Sequence, residues 1–596
     1  MFQSFEVTAR PEQGPPRLDA LRAQIDAAGL DGFLVPRADA HQGEYVSARD
    51  ERLAWLTGFT GSAGFCAVLR DVAGVFIDGR YRTQVKAQVA DVYTPVPWPE
   101  VSLAAWLKEQ LPKGGRVGFD PWLHTPGQIA QAEKDLIGTG VALVQCQNLV
   151  DRIWEDQPAP AAALAKIHPL EFAGESHADK RARLGKDLAD AGAKSAVITL
   201  PDSLCWLLNI RGADIPRNPI AQGFAILHAS GAVDLFMDAA KLSEVRDHLG
   251  AEVTCHPPAA FLDRLQDLDG PVRLEKTTAP VIAADTIGDR VQWGDDPCAL
   301  PKACKNAAEI AGTAAAHLRD GAAVVELLAW LDTQAPGSLR ETQVVTQLET
   351  FRRRDNALQD ISFETIAGTG PNGAIMHYRV TEETDSTLED GQLIVLDSGG
   401  QYLDGTTDIT RTIAIGAPAD TARAAFTRVL MGMIAMSRLR WPTGLAGRDI
   451  EAIGRAPLWY AHQDFDHGLG HGVGAYLSVH EGPQRLARTS TVPLQAGMIL
   501  SNEPGYYREG AFGIRIENLI VAEVAEAPDG GDAHRDMLCW RTLTFAPIDR
   551  RLIVVEMLDA PSRDWLNAYH AETLEKIGPR VSDEARTWLQ GACAPL

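Results

Sequence analysis

The first half of the 596-residue chain repeats one order of sequence features. A segment with apolar residues at helical spacing ends at Gly29, and a second such segment ends at Gly192. Four more features follow each segment in the same order, at residues 32–35 and 196–199, 53–59 and 204–210, 64–69 and 223–227, and 75–78 and 235–238. The loops between them differ in length, so the pattern predicts a duplicated α/β domain rather than a solenoid of short repeats. Chance similarity of two generic α/β units is the alternative.

The second half has a different pattern, which begins near residue 306. Helical spacing over 306–335 and 341–353 gives way after residue 361 to apolar runs at 393–397 and 410–415, separated by glycine-rich loops. Helical patterns return at 420–439 and 447–458, and strand patterns at 498–502 and 512–521. This mixture predicts an α+β region, with an antiparallel sheet and helices packed on one of its faces.

Composition excludes several classes of function. With 56 Lys and Arg against 79 Asp and Glu, the net charge is −23, and an acidic surface repels nucleic acids and anionic lipid headgroups. The eight cysteines show no CxxC spacing, which favours reduced thiols over a disulfide framework or a zinc–thiolate site. The sequence shows neither a secretory leader at its N-terminus nor an apolar run of membrane-spanning length, so we expect a soluble cytoplasmic protein.

Three histidines lie within fourteen residues of a glycine-rich stretch, although the whole chain has only 15 histidines. They are His467, His471 and His480. Glycines allow the backbone and a ligand to approach each other closely. Isolated acids in apolar surroundings flank this stretch on both sides, which suggests a single metal-dependent active site.

Asp397 and Asp408 are the two upstream acids. Asp397 ends an apolar run, and Asp408 begins the next strand pattern eleven residues later. If these strands pair, both carboxylates lie at the same sheet edge. An aspartate beside a buried strand is costly unless it is paired or binds a metal, although either residue alone could be a turn or capping aspartate.

Glu503 and Glu517 are the two downstream acids, and each interrupts an apolar segment. Glutamate is depleted from strands, so both positions need an explanation. A salt bridge from Glu517 to Arg515 is the simplest alternative to metal binding. Against it, we expect both residues to point to one face of a single strand over 512–521, which suits a pocket lining better than a core.

One imidazole and four carboxylates form a suitable ligand set for two hard divalent cations that share bridging carboxylates. Oxygen-rich ligation with one histidine favours Mn²⁺, Co²⁺ or Fe²⁺ over a thiolate-type zinc site, and Zn²⁺ remains a further option. Two such ions would deprotonate a bridging water at neutral pH and polarise a carbonyl group. Hydrolysis of an amide is therefore the expected reaction.

These five residues also carry a family resemblance, through their contexts LDSG, TDITRT, GLGHGVG, SNEPGYY and IRIEN. The set resembles that of the dinuclear pita-bread metallopeptidases, the methionine aminopeptidase and creatinase superfamily. Within it the chain resembles the long, three-domain cytosolic aminopeptidases P, or Xaa-Pro aminopeptidases, over nearly its whole length. Segments 53–64, 370–378, 543–549 and 565–570 support the likeness, as does a loop between Gly474 and His480 that is two residues longer than in short aminopeptidases P and prolidases.

The resemblance implies a role for each metal ligand. Asp397 would chelate one ion, Asp408 and Glu517 would bridge both, and His471 and Glu503 would complete the other. All five ligands are present, whereas creatinase resembles this fold but lacks the set.

The resemblance also assigns catalytic and substrate-binding residues. Glu503, beside the bridging hydroxide, would be the proton acceptor that later protonates the leaving proline nitrogen. His377, His467 and His480 would line the substrate site and stabilise charge on the carbonyl oxygen, and Arg515 would lie in the substrate pocket. A purely structural role is the alternative for His467.

The implied architecture is α/β and α+β multidomain, with two creatinase-like N-terminal α/β domains followed by a C-terminal pita-bread catalytic domain. We expect domain I at 1–155, its repeat at 156–305, the catalytic domain at 306–535, and an extension at 536–596 packed on the catalytic domain.

The implied function is a metal-dependent aminopeptidase that hydrolyses the N-terminal Xaa–Pro bond with a hydroxide activated by two metal ions, for which we expect Mn²⁺. Its partners would be peptides with proline at the second position and a second copy of the chain. A prolidase acting on Xaa-Pro dipeptides and a non-catalytic binding module with the pita-bread fold are the alternatives.

Overall fold

The computed structural model describes all 596 residues and divides into two compact units. One unit comprises residues 7–170 and 175–299, and the other comprises residues 1–6, 171–174 and 300–596. Among the helices, none combines the length and the hydropathy that a membrane span requires. All eight cysteines are free thiols, four of them buried.

The first repeat forms a six-stranded mixed sheet in the order β4-β3-β2-β1-β5-β6. Its elements are α1 (Gly14–Ala27), β1 (Gly32–Pro36), α2 (Arg52–Thr57), β2 (Phe65–Leu69), β3 (Ala73–Ile77), α3 (Gln84–Gln88), β4 (Thr94–Pro97), α4 (Leu103–Gln110), β5 (Gly115–Phe119), α5 (Pro126–Asp135) and β6 (Val141–Gln145). As predicted, α1 stops just before Gly29, whose φ of +66° favours glycine.

The second repeat forms another six-stranded sheet, in the order β12-β11-β10-β8-β13-β14. The elements of this region are β7 (Lys166–Ile167), α6 (Leu170–Ala173), α7 (His177–Asp190), β8 (Ser195–Ile198), α8 (Pro201–Leu208), β9 (Ile210–Arg211), β10 (Phe224–His228), β11 (Val233–Phe236), α9 (Arg246–Leu249), β12 (Val253–His256), α10 (Phe261–Gln266), β13 (Val272–Leu274), α11 (Val281–Ile287), β14 (Val291–Trp293) and α12 (Ala299–Ala303).

The two sheets agree strand by strand. In each, the first strand pairs antiparallel with the second and parallel with the fifth, and the third and fourth strands pair in parallel. Identical strand order and direction confirm that the chain contains a duplicated α/β domain.

The remaining helices and strands all lie in the unit formed by residues 1–6, 171–174 and 300–596, the second unit, in which every strand pair is antiparallel. Its elements are α13 (Ala307–Asp332), α14 (Glu341–Arg352), β15 (Leu358–Ile361), β16 (Ile366–Thr369), β17 (Leu393–Ser398), β18 (Gly400–Tyr402), β19 (Gly405–Thr406), β20 (Ile409–Ala414), α15 (Asp420–Ser437), β21 (Arg440–Pro442), α16 (Gly447–Trp459), β22 (Gly470–Gly472), β23 (Glu481–Leu486), β24 (Ile499–Asn502), β25 (Gly505–Arg508), β26 (Phe512–Arg515), β27 (Asn518–Val524), β28 (Met537–Thr542), α17 (Ala560–Ile577) and α18 (Asp583–Ala592).

Two sheets in this unit each have one face covered by a group of helices. Apolar residues of α13 and α14 form one core with the sheet β16-β17-β20, and residues of α15, α16 and α17 form another with the sheet β21-β28-β27-β24-β22-β23. Ile394 and Leu396 of β17 belong to the first core. Because side chains alternate along a strand, Asp397 lies on the opposite face, away from these helices.

The predicted single strand over 512–521 is wrong, because the structure divides it between β26 and β27. Ile516 donates its N–H to the Pro504 carbonyl oxygen at 3.3 Å, and Glu517 donates its N–H to the Thr410 carbonyl oxygen at 3.1 Å. Arg515 and Glu517 therefore do not share one face of one strand. The break brings Glu517 against Thr410, in the segment that follows Asp408.

The C-terminal segment contributes directly to a sheet of the second unit, because β28 pairs with both β27 and β21. The extension therefore completes a sheet as well as adding α17 and α18. The division of the chain after residues 155, 305 and 535 stays a prediction.

His570 makes the second unit acid-sensitive. It is fully buried, and its Nε2 accepts a hydrogen bond from the Ile548 N–H at 3.1 Å. Burial, followed by the charges of Arg411 and Arg550, lowers the pKa of His570 from 6.5 to about 3. His570 therefore stays neutral in the folded protein while it binds a proton in the unfolded chain. Its contribution to the free energy of unfolding is complete above pH 6.5 and is lost as the pH falls toward 3.

We expect His570→Gln, which keeps an acceptor but does not titrate, to reduce the acid sensitivity of this unit. When the pH falls from about 6.5 to about 5, the variant should lose about 2 kcal/mol less unfolding free energy than the wild type loses. Urea unfolding at both pH values measures this difference. Equal pH dependence in the two proteins would contradict the assignment.

Candidate metal centre

Asp397 and Asp408 are brought together by an antiparallel strand pair. In the register of β17 and β20, Asp397 lies opposite Thr410 and Ser398 lies opposite Ile409. Asp408 immediately precedes β20, so both carboxylates lie at the same end of the pair. This arrangement confirms the strand pairing that the sequence predicted.

His471 and Glu503 are joined through Ser501. The Ser501 hydroxyl accepts the His471 backbone N–H at 2.9 Å and donates to Glu503 Oε1 at 3.0 Å. Gly470 permits this approach, because a Cβ there would lie 1.9 Å from the Ser501 carbonyl oxygen. The glycine before His471 is thus a steric requirement of the site.

The ring of His471 points at two of the predicted carboxylates. Its Nε2 lies 3.5 Å from Asp408 Oδ2 and 3.4 Å from Glu503 Oε1. Its Nδ1 lies 2.9 Å from the Gly472 carbonyl oxygen, which can only accept, so Nδ1 carries the proton. In the neutral ring the lone pair of Nε2 faces the acids, which is the tautomer that metal ligation needs.

Candidate ligand atoms of Asp408, His471 and Glu517 all lie within 4.8 Å of one another. These residues come from segments separated by 63 and 46 positions in the sequence. Such convergence of a half-buried imidazole and buried carboxylates is typical of a metal centre.

Three buried carboxylate oxygens in this cluster have no hydrogen-bond donor: Asp397 Oδ1, Asp408 Oδ1 and Glu517 Oε1. Burial, followed by repulsion from the other carboxylates, raises the pKa values of Asp408 and Glu517 well above their ordinary range. Burial also raises the pKa of Glu503. Unsatisfied oxygens and surplus negative charge are costly without a cation, so this donor set fits two hard divalent ions.

Arg515 pairs with Asp397 rather than with Glu517. Its Nη2 and Nε lie 2.6 and 3.2 Å from Asp397 Oδ2, and its Nη1 donates to the Tyr507 hydroxyl at 2.6 Å. Glu517 Oε2 instead accepts the Thr410 hydroxyl at 2.7 Å. The salt bridge between Arg515 and Glu517 that we considered as an alternative is therefore wrong.

His467 and His480 lie beside this cluster. His467 Nδ1 is 2.7 Å from the Gly468 carbonyl oxygen and 3.9 Å from Glu503 Oε2, and its Nε2 is 2.9 Å from the Tyr507 hydroxyl. The rings of His480 and His471 pack edge to face, with centroids 4.3 Å apart. Both histidines therefore border the cluster of candidate ligands, and their substrate-binding roles stay predictions.

His377 lies in a loop that a buried glutamate holds. Glu341, at the start of α14, accepts the Thr369 N–H at 2.6 Å, the Ser386 N–H at 3.1 Å and the Tyr378 hydroxyl at 2.8 Å. Tyr378 follows His377 directly, so this carboxylate fixes the loop that carries the histidine. The substrate-binding role of His377 stays a prediction.

The structure reveals site residues that the sequence reasoning did not assign. Thr410 and Ser501 orient the carboxylates of Glu517 and Glu503, and Tyr507 bridges Arg515 and His467. Burial raises the pKa of Tyr507 to about 12, so its hydroxyl keeps its proton at neutral pH. Because side chains alternate between the two faces of a strand, Thr410 points to the same side as Asp408, two residues before it. This alternation along β20 could have predicted Thr410 as a site residue.

A buried ion cluster forms around Glu481, the residue that follows His480. Glu481 accepts from Lys302 Nζ at 2.9 Å and also binds Lys305 Nζ. All three side chains are at most 3% exposed. The cluster fixes the start of β23, and nothing in the local sequence around Glu481 distinguishes it from a surface glutamate.

Each large part of the chain matches a protein-family model. Residues 303–523 match metallopeptidase family M24, and residues 536–596 match the C-terminal region of peptidase M24. Residues 17–153 and 156–309 each match the creatinase/prolidase N-terminal domain. The predicted fold class, two creatinase-like domains followed by a pita-bread domain, is confirmed.

Relatives with curated descriptions match over nearly the whole chain. A probable Xaa-Pro aminopeptidase P of Laccaria bicolor is 37% identical, over 97% of this chain and 93% of its own length. Aminopeptidase P2 of Arabidopsis thaliana is 36% identical, over 95% of this chain and 86% of its own length.

Solved structures give the same result. X-prolyl aminopeptidase of Caenorhabditis elegans, described as a cytosolic enzyme with a di-nuclear active site, superposes with a TM-score of 0.93 at 32% identity, covering 98% of this chain and all of that one. A prolidase of Pyrococcus horikoshii, at 22% identity and a TM-score of 0.50 over 62% of this chain, shares the fold alone. The chain therefore belongs to metallopeptidase family M24, and within it to the aminopeptidase P branch.

Proposed function

We propose that this protein is a metal-dependent aminopeptidase that removes the N-terminal residue from peptides with proline at the second position. The observation that carries the proposal is the convergence of His471 Nε2 with the carboxylates of Asp408, Glu503 and Glu517, in a cluster where three buried carboxylate oxygens have no donor. Hydrolysis of a peptide bond is the chemistry that such a centre supports best.

The five residues Asp397, Asp408, His471, Glu503 and Glu517 would hold two divalent ions. Bound there, the ions would acidify a water molecule and polarise the scissile carbonyl group. Mn²⁺ is the proposed ion, because four carboxylates and one imidazole form an oxygen-rich set of intermediate hardness.

Glu503 is the proposed proton carrier. The pKa of its half-buried carboxylate is raised by desolvation, and Ser501 and His471 hold its Oε1. Glu503 accepts a proton from the attacking water as the C–O bond forms, and donates it to the proline nitrogen as the C–N bond breaks. The proton is returned to the product amine, so the carboxylate is ready for another turnover.

His377, His467 and His480 are the proposed substrate contacts, and Arg515 borders the same pocket. Imidazole N–H groups of His377 and His480 directed at the carbonyl oxygen would stabilise the charge that develops there in the transition state, whereas His467, whose ring nitrogens face Gly468 and Tyr507, would line the pocket. Tyr507 links Arg515 to His467, which limits the positions that either side chain can take.

Preference for proline rests on the relatives rather than on the ligand set. The Xaa–Pro bond is a tertiary amide without an N–H, and peptidases that bind that N–H cannot use it. We expect the Mn²⁺-loaded protein to cleave Xaa-Pro-Yaa tripeptides and to leave matched Xaa-Ala-Yaa tripeptides largely uncut.

A panel of these peptides, with Xaa-Pro dipeptides included, separates the alternatives. Faster cleavage of the dipeptide would show a prolidase instead. Absence of hydrolysis of every proline peptide by the metal-loaded protein would favour a non-catalytic binding module.

We also propose that the protein acts in the cytoplasm as a homodimer. Eight free thiols suit a reducing compartment, and Ile453 in the middle of α16 and Tyr460 just after its end present exposed apolar surface seven positions apart. Light scattering should give twice the chain mass of 64.4 kDa. A mass of one chain would exclude the dimer.

A further inference from the structure

A buried ion pair lies behind the hairpin that carries Asp397 and Asp408. It joins Asp320 of α13 to Arg352 of α14, whose side chains are 0% and 1% exposed. Arg352 uses both Nε and Nη2 to hold the two carboxylate oxygens of Asp320. The function proposed above gives this pair no role.

The ion pair connects the two residues that adjoin the metal ligands. Arg352 Nη2 donates to Ser398 Oγ at 3.0 Å, and Ser398 follows Asp397. The Thr407 hydroxyl donates to Asp320 Oδ2, and Thr407 precedes Asp408. A continuous path of polar contacts thus crosses from one strand to the other, directly beside the two carboxylates.

The hairpin is tightly packed at this point. The Ser362 hydroxyl donates to the Thr407 carbonyl oxygen at 2.8 Å, and the Gly400 N–H donates to Thr407 Oγ1 at 2.8 Å. A Cβ at Gly399 would lie only 1.9 Å from the Thr407 carbonyl oxygen. The segments that contain Ser398 and Thr407 therefore have little freedom to move apart while this path of polar contacts is intact.

We infer that Asp320 and Arg352 are positioning residues that set the separation of the Asp397 and Asp408 carboxylates. Asp408 lies with His471 and Glu517, whereas Asp397 lies on the Arg515 side of the cluster. The separation of the two aspartates therefore controls whether a second divalent ion is held beside the first. This inference rests on the proposed dinuclear centre.

A buried, fully hydrogen-bonded ion pair is suited to this task. It costs desolvation energy and adds little net stability compared with apolar packing, so specification of geometry is the better reason for its presence here. Residues that orient ligands in this way typically change metal affinity by about 10- to 100-fold when they are removed.

Three substitutions interrupt the path at different points. Thr407→Val removes the hydroxyl with little change of shape, Ser398→Ala removes the acceptor at the other end, and Arg352→Lys keeps the charge but loses the fork that reaches Ser398. Thr407→Ser restores the hydroxyl. Thr427→Val is the matched control, because Thr427 is buried in α15 and its hydroxyl bonds Arg423 and Val554 instead.

The experiment is a calorimetric titration of each metal-free protein with Mn²⁺. We expect two ions per chain in the wild type, in Thr407→Ser and in Thr427→Val. In Thr407→Val, Ser398→Ala and Arg352→Lys the dissociation constant of the second ion should rise about 10- to 100-fold, with the first ion still bound.

Wild-type affinity for both ions in all three variants would overturn the positioning role while leaving the proposed function intact. A wild-type protein that binds no Mn²⁺ would overturn the proposed centre itself, and the inference with it. Equal weakening in Thr427→Val would mean that loss of any buried hydroxyl suffices, which also contradicts the inference.

Discussion

Replacing Asp408 with asparagine should lower kcat/KM for an Xaa-Pro-Yaa peptide by at least about 10³-fold, or about 4 kcal/mol of transition-state stabilisation. Asp408 contributes a ligand oxygen to the group of atoms around His471 Nε2, and its other oxygen has no donor. An amide offers a neutral oxygen and an N–H group that points its positive end at the cation. Glu517→Gln should have an effect of the same size for the same reason.

The fold should survive the Asp408→Asn substitution. Because burial, followed by repulsion from the other carboxylates, raises the pKa of Asp408, a neutral amide there should leave the metal-free variant at least as resistant to heat as the metal-free wild type. Asp404→Asn is a matched control, since Asp404 lies in the same hairpin but binds Arg319. Retention of more than about a tenth of the activity in Asp408→Asn would contradict the assignment.

Replacing Glu481 with glutamine should destabilise the protein by about 3–5 kcal/mol, because it leaves two buried lysines without their carboxylate. Lys302 and Lys305 both bind Glu481, and none of the three side chains is more than 3% exposed. Since Glu481 follows His480, the variant should also raise KM for peptide substrates. Urea unfolding at neutral pH measures the stability change.

An exposed ion pair in the same unit provides the comparison. Arg541 and Glu523 are 43% and 41% exposed, with Nε and Oε1 2.6 Å apart. Glu523→Gln should change the unfolding free energy by no more than about 1 kcal/mol, because solvent screens such pairs. A loss of equal size in Glu481→Gln and Glu523→Gln would show that burial of the Glu481 cluster has no special effect.

Much of the candidate site could be predicted from the sequence because its parts are locally distinctive. Asp397 and Asp408 each adjoin an apolar strand, where an unpaired carboxylate is costly, and the register of β17 and β20 places them at one end. His471 lies among glycines whose small size the close packing of β22 requires. The duplicated domain was equally visible, since its elements recur in one order.

The remaining features depend on tertiary contacts that local patterns do not encode. The break between β26 and β27 follows from the bond between the Glu517 N–H and the Thr410 carbonyl oxygen, about a hundred residues away. The partners of Glu481 lie more than 170 residues away in the sequence, and Arg515 binds Asp397 over a separation of 118 residues. Periodicity predicts which face of a strand is buried, but not which distant side chain meets it.

The most direct test of the dinuclear centre is anomalous X-ray diffraction from crystals of the Mn²⁺-loaded protein. We predict two manganese peaks within coordination distance of His471 Nε2 and the carboxylates of Asp397, Asp408, Glu503 and Glu517. A single peak, or strong manganese peaks only at other positions, would contradict the two-metal assignment.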